Sequence, residues 1–439
     1  MAPRDPTAAI RDSLERIWSE PANVSRDVGQ RALIDFLGCV NAGARTPFVQ
    51  QLRETVLMPD NNDVLHSASH GIPAATAALV NGAAAHAQDF DDTHWSSTAH
   101  PSAVIWASLL SCSLREVPVG TLVDGYRSAV SFLSDLGPWV CPAHIRRGWH
   151  STGTVAGLAA TVALLRVRMA TLTQAEDALG LAGSLIGGLR GNNASSAKAL
   201  QAGRGAQAAV MATQVSALQG FSGQTKLEAL TDAFSFASTG QEATPDLDVV
   251  FKPWPTCTGT HAAIEAALQL RRQEDRADEV LVEVPAVVGE ETTNTWPTHL
   301  AAARLCLPFV IAVVDTFGTV GEAELNAGLG DQAVRRAFDR VSVRKEPPTE
   351  DERYHVDTAL TMRWGREEER VVVEHPYGDP WRPMTDADLR AKFRYNARGR
   401  WGPSRQDELL AAVESSRTDA VALLELARGD DGPLDSSPP

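Results

Sequence analysis

The chain has 439 residues, of which 44% are hydrophobic and 22% are charged, as in an ordinary globular protein. This length is enough for two or three domains, each with its own hydrophobic core. The formal net charge of −15, from 40 basic and 55 acidic residues, argues against a nucleic-acid partner or an anionic membrane surface, because both favour a basic face.

The five cysteines are scattered and form no C-x-x-C pair, so neither a disulfide framework nor a zinc site is indicated. The N-terminal segment is charged and lacks the apolar core of a signal peptide. No run approaches the roughly 20 apolar residues that cross a bilayer. We therefore expect a cytoplasmic protein with no membrane partner.

Helical periodicity dominates the first half of the chain, from Asp5 to about Thr225. Turn signals such as Gly137-Pro138 separate the segments, and frequent Ala and Gly residues favour close packing of helices in a bundle. The clearest predicted helices cover residues 74–87, 103–114, 122–136, 152–166, 174–186 and 206–218.

The pattern changes after about Pro253, where β-branched residues and alternation become frequent. Pro285 weakens the first strand prediction in this part, and Gly365 predicts a tight connection between the last two strands. A capping sequence at Thr385–Asp388 begins a return to helical spacing. Strands are predicted at residues 280–288, 341–345, 358–364 and 369–374, and a buried helix at residues 307–317.

These elements predict a mainly α protein with two domains. A large all-α helical domain is formed by residues 5–252 and 385–428, and a smaller α+β domain of residues 253–384 is inserted into it. The tail of residues 429–439 has almost no apolar content, and we expect it to be disordered.

A dense group of titratable side chains follows the helix predicted at 74–87. Such groups are costly to bury unless they meet partners, water or a substrate. We interpret this stretch as one wall of an active site. The group comprises Asp89, Asp91, Asp92, Thr93, His94 and His100, all before the helix signal at Pro101.

Asp89 and Thr93 are four residues apart, so they share a face if the helix continues. A carboxylate there can orient a substrate hydroxyl or act as a base. We interpret Asp91 and Asp92 as solvated or capping residues at the helix end. An aspartate cluster in an all-α protein is also typical of the Mg²⁺–diphosphate sites of terpene synthases, but the second acidic position that such a site needs is missing.

His150 precedes a helix of small residues, so its imidazole and the free N–H groups of that helix point to one place. Lys198 is flanked by small residues, which lets it reach into a pocket to bind a substrate carboxylate or to stabilise an enediolate. Arg204 can act in the same way or form a structural ion pair. No H-E-x-x-H motif or cysteine pair offers a metal site, so we predict that no metal is required.

Several segments together resemble the MmgE/PrpD family. The resemblance implies a helical domain with a lid domain, a homodimer, and catalysis without a metal or an organic cofactor. The segments follow the family's order and cover most of residues 25–395: NGAAAHAQDFDDTH at 81–94 with HPS at 100–102, GWHSTGT at 148–154, SSAKALQAGRGAQ at 195–207, QGFSG at 219–223, KPWPTCTGTHAAIEAAL at 252–268 and MTDADLRAKF at 384–393.

The resemblance makes His100 and His150 active-site residues. Gln201 stands where many relatives carry a histidine, which removes one titratable group from the pocket. His261 is a candidate substrate-binding residue, although capping or packing of the next helix is the role that we favour, and we interpret Cys257 as a small apolar filler. Residues 289–294 lack the tyrosine that some decarboxylase relatives place nearby, which weakens the decarboxylase hypothesis.

These observations predict a cofactor-independent hydro-lyase that removes a proton next to a carboxylate of a small di- or tricarboxylate. An epimerase or isomerase is the second hypothesis, a decarboxylase the third, and a non-catalytic ligand-binding protein the last. The predicted catalytic residues are Asp89, His100, His150 and Lys198, and the predicted substrate-binding residues are Thr93, Gln201, Arg204 and His261.

Overall fold

The computed structural model describes residues 5–57, 63–112, 116–141, 143–221, 227–234, 236, 248–272, 275–348 and 355–428. Within these residues the chain forms 20 α-helices and only small sheets. The prediction of a mainly α protein with a smaller α+β part is therefore confirmed. The tail that we expect to be disordered, residues 429–439, lies outside the described residues.

Eleven of the helices in the described residues precede position 248. They are α1 (Pro6–Ser19), α2 (Arg26–Gly43), α3 (Pro47–Val56), α4 (Ala74–His86), α5 (Pro101–Ser111), α6 (Val119–Val140), α7 (Ala143–Arg146), α8 (Val155–Val167), α9 (Leu172–Leu185), α10 (Ala197–Val215) and α11 (Leu227–Ala233), and strand β1 (Thr93–His94) lies between α4 and α5.

The remaining part mixes strands and helices and ends in three helices. In chain order these are β2 (Val249–Val250), α12 (His261–Leu270), β3 (Glu279–Val284), α13 (Ala286–Glu291), α14 (Leu300–Ala303), α15 (Leu307–Phe317), α16 (Glu322–Gly328), α17 (Gln332–Phe338), β4 (Val341–Lys345), β5 (Thr358–Trp364), β6 (Glu367–Val373), α18 (Asp386–Ala397), α19 (Pro403–Glu414) and α20 (Ala420–Ala427).

The first hydrophobic core is built by helices that approach one another closely. Helices α4 and α10 cross where Gly82 meets Gly203, and a Cβ atom at Gly203 would overlap the carbonyl oxygen of Leu79. Only glycine permits this backbone contact. Helices α18 to α20 return to the same core, through buried side chains such as Phe393 and Leu423. The crossing fixes the start of α10 beside the end of α4.

The second hydrophobic core lies between a four-stranded sheet and the helices α12 and α15. The strand order is β4-β3-β5-β6, in which β3 and β4 run parallel and the other neighbours run antiparallel. Gly365, in the left-handed region with φ of 57°, makes the tight turn between β5 and β6 that the sequence predicts.

Two predicted elements end differently in the structure. The strand predicted at 280–288 stops at Val284, and helix α13 begins after Pro285, because proline cannot donate a ladder hydrogen bond. The turn predicted at Gly137-Pro138 is wrong, since α6 continues to Val140 through a buried Trp139. Within the described residues, no helix is both long and apolar enough to cross a membrane.

Candidate active site

The segment after α4 leaves the helix before the predicted active-site residues are reached. Helix α4 ends at His86, and Asp89 adopts the left-handed region with φ of 51°. Aspartate tolerates this conformation better than most residues. Thr93 then lies in β1, so Asp89 and Thr93 do not share a helical face. That prediction is corrected: the chain turns sharply at Asp89 and continues as an extended strand.

Asp89 is buried and binds two lysine ammonium groups. Lys198 Nζ lies 2.5 Å from Oδ2 of Asp89, and Lys252 Nζ lies 2.6 Å from Oδ1. Burial alone would raise the pKa of Asp89, but the charges of Lys198 and Lys252 hold this pKa well below its usual range. Asp89 therefore stays ionised, and both of its oxygens are engaged, so it holds the two lysines and is unsuited to be the base.

Two different elements deliver these lysines. Strand β2 pairs antiparallel with β1, with Val250 opposite Thr93, and this pairing brings Lys252 back to the loop that carries Asp89. Lys198 stands in the first turn of α10, which the close crossing of α10 with α4 places beside the end of α4. The pKa of Lys252 is raised, because Asp89 and Asp91 outweigh the effect of burial.

His100 is buried, and its hydrogen bond determines its tautomer. Nδ1 lies 2.8 Å from the main-chain oxygen of Asp92, which can only accept, so Nδ1 carries the proton. The lone pair of Nε2 is consequently directed elsewhere, 3.8 Å from Oδ1 of Asp89. Burial, together with the charge of Lys252, holds the pKa of His100 well below its usual value. His100 is thus a neutral imidazole with an available basic nitrogen.

His150 is the second neutral imidazole of the site. Burial lowers its pKa well below the usual value, and His86 and Lys198 add to this effect. Its main-chain N–H donates to Gly188 O at 3.0 Å, which fixes the loop that carries it. Among the described residues its Nδ1 has no hydrogen-bond partner. A neutral imidazole next to a lysine can accept a proton without first having to lose one.

A small cavity of about 50 Å³ lies against these side chains. One part of its wall comes from residues 93–198, and the other part comes from residues 257–305. Thr93 and Thr258, whose hydroxyl oxygens are 2.9 Å apart, join the two sides. The lining consists of Thr93, Thr98, His100, Ile145, Trp149, His150, Ser151, Arg190, Asn193, Lys198, Cys257, Thr258, Glu291 and Leu305.

A second, larger cavity of about 590 Å³ shares Lys198 with the small one. Asp89 and His86 line it together with Lys198. His86 Nδ1 binds both oxygens of Asp91 at 3.0 and 2.9 Å, and its ring lies 4.4 Å from that of His100, centroid to centroid. Lys198 therefore lines both cavities, whereas Asp89 lines only the larger one.

Asp91 and Asp92 are fully buried, which corrects their interpretation as solvated residues. Asp92 accepts hydrogen bonds from the main chain and the hydroxyl of Ser102 at 3.1 and 2.6 Å, and from Tyr126 at 3.2 Å. Burial and the nearby charge of Asp35 raise the pKa of Asp92 to about 8. The loop turns inward after Asp89, so Asp92 anchors it to α5 and α6 and Asp91 anchors it to His86 of α4, and neither carboxyl group meets water.

The structure separates the predicted substrate-binding residues. Thr93 lines the small cavity, as stated above, whereas Arg204 is exposed and donates to Gln207 on its own helix. The helical face that carries Lys198 inward turns Arg204 outward, so the prediction that Arg204 contacts the substrate is corrected. Gln201 is buried behind the cavity and donates to Leu189 O at 3.1 Å. It supports the loop beside His150.

His261 does not line either of the cavities described above. It is buried at the start of α12 and packs edge-on against Trp254, with ring centroids 5.3 Å apart. Burial, reinforced by the charge of Lys252, lowers the pKa of His261 to about 3, so the ring is neutral. The packing role that the sequence leaves open fits this placement, and substrate contact does not.

Four donor groups lie close enough together to hold a metal ion: His86, Asp89, Asp91 and His100, whose nearest ligand atoms are all within 4.8 Å of one another. The same group faces two ammonium ions, because Lys198 and Lys252 bind Asp89. A divalent cation would have to displace or repel these lysines. The set of donors is compatible with a metal in its spacing, while its charges favour an anion in the neighbouring cavity.

Sequence reasoning missed Lys252 and His86 as members of the site. The pairing of β1 with β2, which is distant in sequence, brings Lys252 to Asp89. The available signal was the resemblance itself, since both residues lie inside segments that carry it. Neither residue has a local pattern that distinguishes an active-site group from a structural one.

Two family models match the chain in sequence. The MmgE/PrpD N-terminal domain matches residues 16–245, and the MmgE/PrpD C-terminal domain matches residues 254–418. The chain is similar to cis-aconitate decarboxylase of Mus musculus, with 24% identity over 91% of this chain and 88% of the relative. It is also similar to cis-aconitate decarboxylase of Homo sapiens, with 23% identity over 74% of this chain and 73% of the relative.

Proposed function

The chain belongs to the MmgE/PrpD family, and from this premise we propose that it is a cofactor-independent lyase acting on a small di- or tricarboxylate. The observation that supports this proposal is one cavity in which Lys198 stands beside two neutral imidazoles, His100 and His150. The ammonium group attracts a carboxylate, and each imidazole accepts a proton. Such a site suits removal of a proton from the carbon next to a carboxylate.

Elimination of water is our first choice for the reaction. His150 accepts the proton from the carbon next to the carboxylate, and negative charge develops on the carboxylate oxygens as an enediolate. Lys198 stabilises that charge, which is absent in the ground state, and so lowers the barrier. The electron pair of the broken C–H bond forms the new double bond. The hydroxyl group of the substrate leaves as water with a proton from an acid in the cavity, for which the Lys198 ammonium is our candidate.

Decarboxylation is the second candidate, because the two relatives described above are decarboxylases by name. In that reaction the C–C bond to a carboxylate breaks, carbon dioxide leaves, and the remaining carbanion takes a proton. The same lysine and imidazoles suit both reactions. The absence of a tyrosine in residues 289–294 argues for elimination first. Epimerisation shares the proton-removal step, and a non-catalytic role has no need of two neutral imidazoles beside a buried lysine.

A substrate screen in D₂O followed by proton NMR distinguishes these reactions. Elimination is expected to give an alkene that absorbs in the ultraviolet, and decarboxylation to release carbon dioxide with deuterium on the carbon that lost it. An epimerase would exchange deuterium into substrate and product alike. If no di- or tricarboxylate shows any of these signals, the enzymatic proposal is wrong.

The same proposal includes a homodimer and a cytoplasmic location, both from the family resemblance and the sequence. Light scattering at micromolar concentration is expected to give about twice the chain mass of 47.0 kDa. A monomer under these conditions would contradict the dimer.

A further inference from the structure

The wall of the small cavity has two cationic side chains, one more than the proposed proton transfer requires. Besides Lys198, its wall includes Arg190, and the acidic side chain in the wall is Glu291. His100 and His150 are neutral there, because burial lowers the pKa of each. One lysine is sufficient to bind the carboxylate next to the reacting carbon. Arg190 is therefore available for a separate role in binding.

The main chain holds Arg190 in register with the segment that carries His150. The N–H of Arg190 donates to Gly148 O at 2.9 Å, and the N–H of His150 donates to Gly188 O at 3.0 Å. A third hydrogen bond runs from the side-chain amide of Gln201 to Leu189 O at 3.1 Å. These bonds fix the position from which the guanidinium reaches the cavity relative to His150, which is what a binding group needs for selectivity.

The guanidinium of Arg190 is only partly satisfied by the protein. Nη1 donates to Ile145 O at a long 3.4 Å. Nη2 is buried and has no hydrogen-bond partner among the described residues. A buried guanidinium nitrogen without a partner is unfavourable, and the planar fork of arginine matches a carboxylate. The vacant donor therefore points to an anionic group of a ligand.

We propose that Arg190 binds a second carboxylate of the substrate, one that is not attached to the reacting carbon, while Lys198 binds the carboxylate next to that carbon. This inference rests on the proposed function and names the residue that recognises the second carboxylate of its substrate. The site selects acids with at least two carboxylates over monocarboxylates of the same size. Arg190 thus determines specificity, and the imidazoles carry out the proton transfer.

Binding of succinate and of its monoamide, succinamate, tests the inference by isothermal titration calorimetry on the full chain. The two ligands have the same length and differ in one carboxylate. Arg190→Gln is expected to weaken succinate binding by about 10- to 100-fold, the usual effect of losing a hydrogen bond between two charged groups, with little change for succinamate. Arg190→Lys keeps the charge but loses the fork, so an intermediate loss is expected.

Two further variants make the result specific. Lys198→Gln is expected to weaken both ligands, because both carry the carboxylate that Lys198 binds. Arg147→Gln is the matched control, since Arg147 is exposed, lies in the neighbouring segment and removes the same charge. It is expected to change neither affinity. Melting temperatures near that of the wild type for Arg190→Gln and Arg190→Lys would show that both variants are folded.

Equal weakening of succinate and succinamate by Arg190→Gln, or no change in either, would overturn the inference and leave the proposed function standing. A wild-type chain that binds neither acid would also overturn it. In that case the deuterium screen described above decides independently whether the proposed function survives, because it reports turnover and not affinity for succinate.

Discussion

Lys252 donates to both the side chain and the main chain of Asp89. Its Nζ lies 2.6 Å from Oδ1 and 2.8 Å from the main-chain oxygen. The two residues are 163 positions apart in sequence, and both are buried. Lys252 thereby stabilises the left-handed turn at Asp89 and, with Lys198, supplies positive charge that keeps this carboxylate ionised. The contact also joins the helical part of the chain to the segment between β2 and α12.

We predict that Lys252→Met destabilises the protein by about 3–5 kcal/mol, the usual cost of removing one partner from a buried ion pair. The buried charge of Asp89 then keeps only Lys198 as a partner, and the position of Lys198 in the cavity changes, so kcat is expected to fall as well. Urea unfolding measures the first effect. Lys345→Met, at an exposed lysine at the end of β4, is the control and should stay within about 0.5 kcal/mol of the wild type. Equal stability of the two variants would contradict the role of Lys252.

A second prediction separates the proton-transfer group from the anion-binding group. His150→Gln should lower kcat by about 10²- to 10⁴-fold with a smaller effect on KM, as for a positioned acid–base residue. Lys198→Ala should raise KM and lower kcat together, because its charge acts when the substrate binds and when the enediolate forms. His355→Gln, at a partly exposed histidine, should resemble the wild type. A fully active His150→Gln variant would show that another residue accepts the proton.

Much of the fold follows from local pattern. Three elements, α15, β4 and β5, have the bounds that the sequence predicts, because apolar runs and β-branched alternation are strong local signals. The turn predicted at Gly137-Pro138 fails because tertiary packing of Trp139 extends α6. Local propensity carries no information about such packing.

The site is predicted less completely than the fold, for the same reason. His100, His150 and Lys198 are brought together in one cavity. Arg204 points outward, and Asp92 is buried among Ser102 and Tyr126, although a charged helix end normally faces water. The left-handed turn at Asp89 directs the loop that carries Asp92 inward, and this turn depends on contacts with residues that are distant in sequence, such as Lys252.

Asp92 gives a pH-dependent prediction. Its pKa is about 8 in the folded chain, against 3.8 in the unfolded chain, so between these values the folded state holds a proton that the unfolded state has lost. The contribution of this group to the free energy of unfolding therefore falls as the pH rises from about 4 to about 8. Asp92→Asn is isosteric and cannot ionise. Its stability relative to the wild type is expected to rise by a few kcal/mol across this range, measured by urea unfolding at several pH values. A difference that does not vary with pH would show that Asp92 is ionised in the folded state.

We also predict that the residues we call the lid, 253–384, change protection when a ligand binds. The small cavity is closed on one side by Cys257, Thr258, Glu291 and Leu305, so a substrate larger than its 50 Å³ requires this side to move. Hydrogen exchange with and without succinate should show increased protection around Lys252 and Met384, where the lid joins the helical part. Identical exchange at these two connections in both states would contradict a moving lid.

The last prediction concerns metal ions. The donor atoms of His86, Asp89, Asp91 and His100 have suitable spacing, so the structure offers a concrete place to test the expectation that no metal is needed. Two ammonium groups already bind Asp89, and Nδ1 of His100 carries a proton that it donates to Asp92 O. A metal would have to compete with the lysines and bind His100 through its other nitrogen.

We therefore expect that dialysis against EDTA leaves kcat, KM and the melting temperature unchanged, and that elemental analysis finds far less than one metal ion per chain. Added Zn²⁺ should inhibit, because binding to the group would draw Asp89 away from Lys198. His86→Gln distinguishes the two cases further. If His86 binds no metal, this substitution should change the environment of His100, and the variant should remain insensitive to EDTA. A different result would establish a metal centre in place of the proposed lysine-based site. In that result the wild type holds stoichiometric metal, EDTA removes the metal together with activity, and the His86→Gln variant fails to retain it.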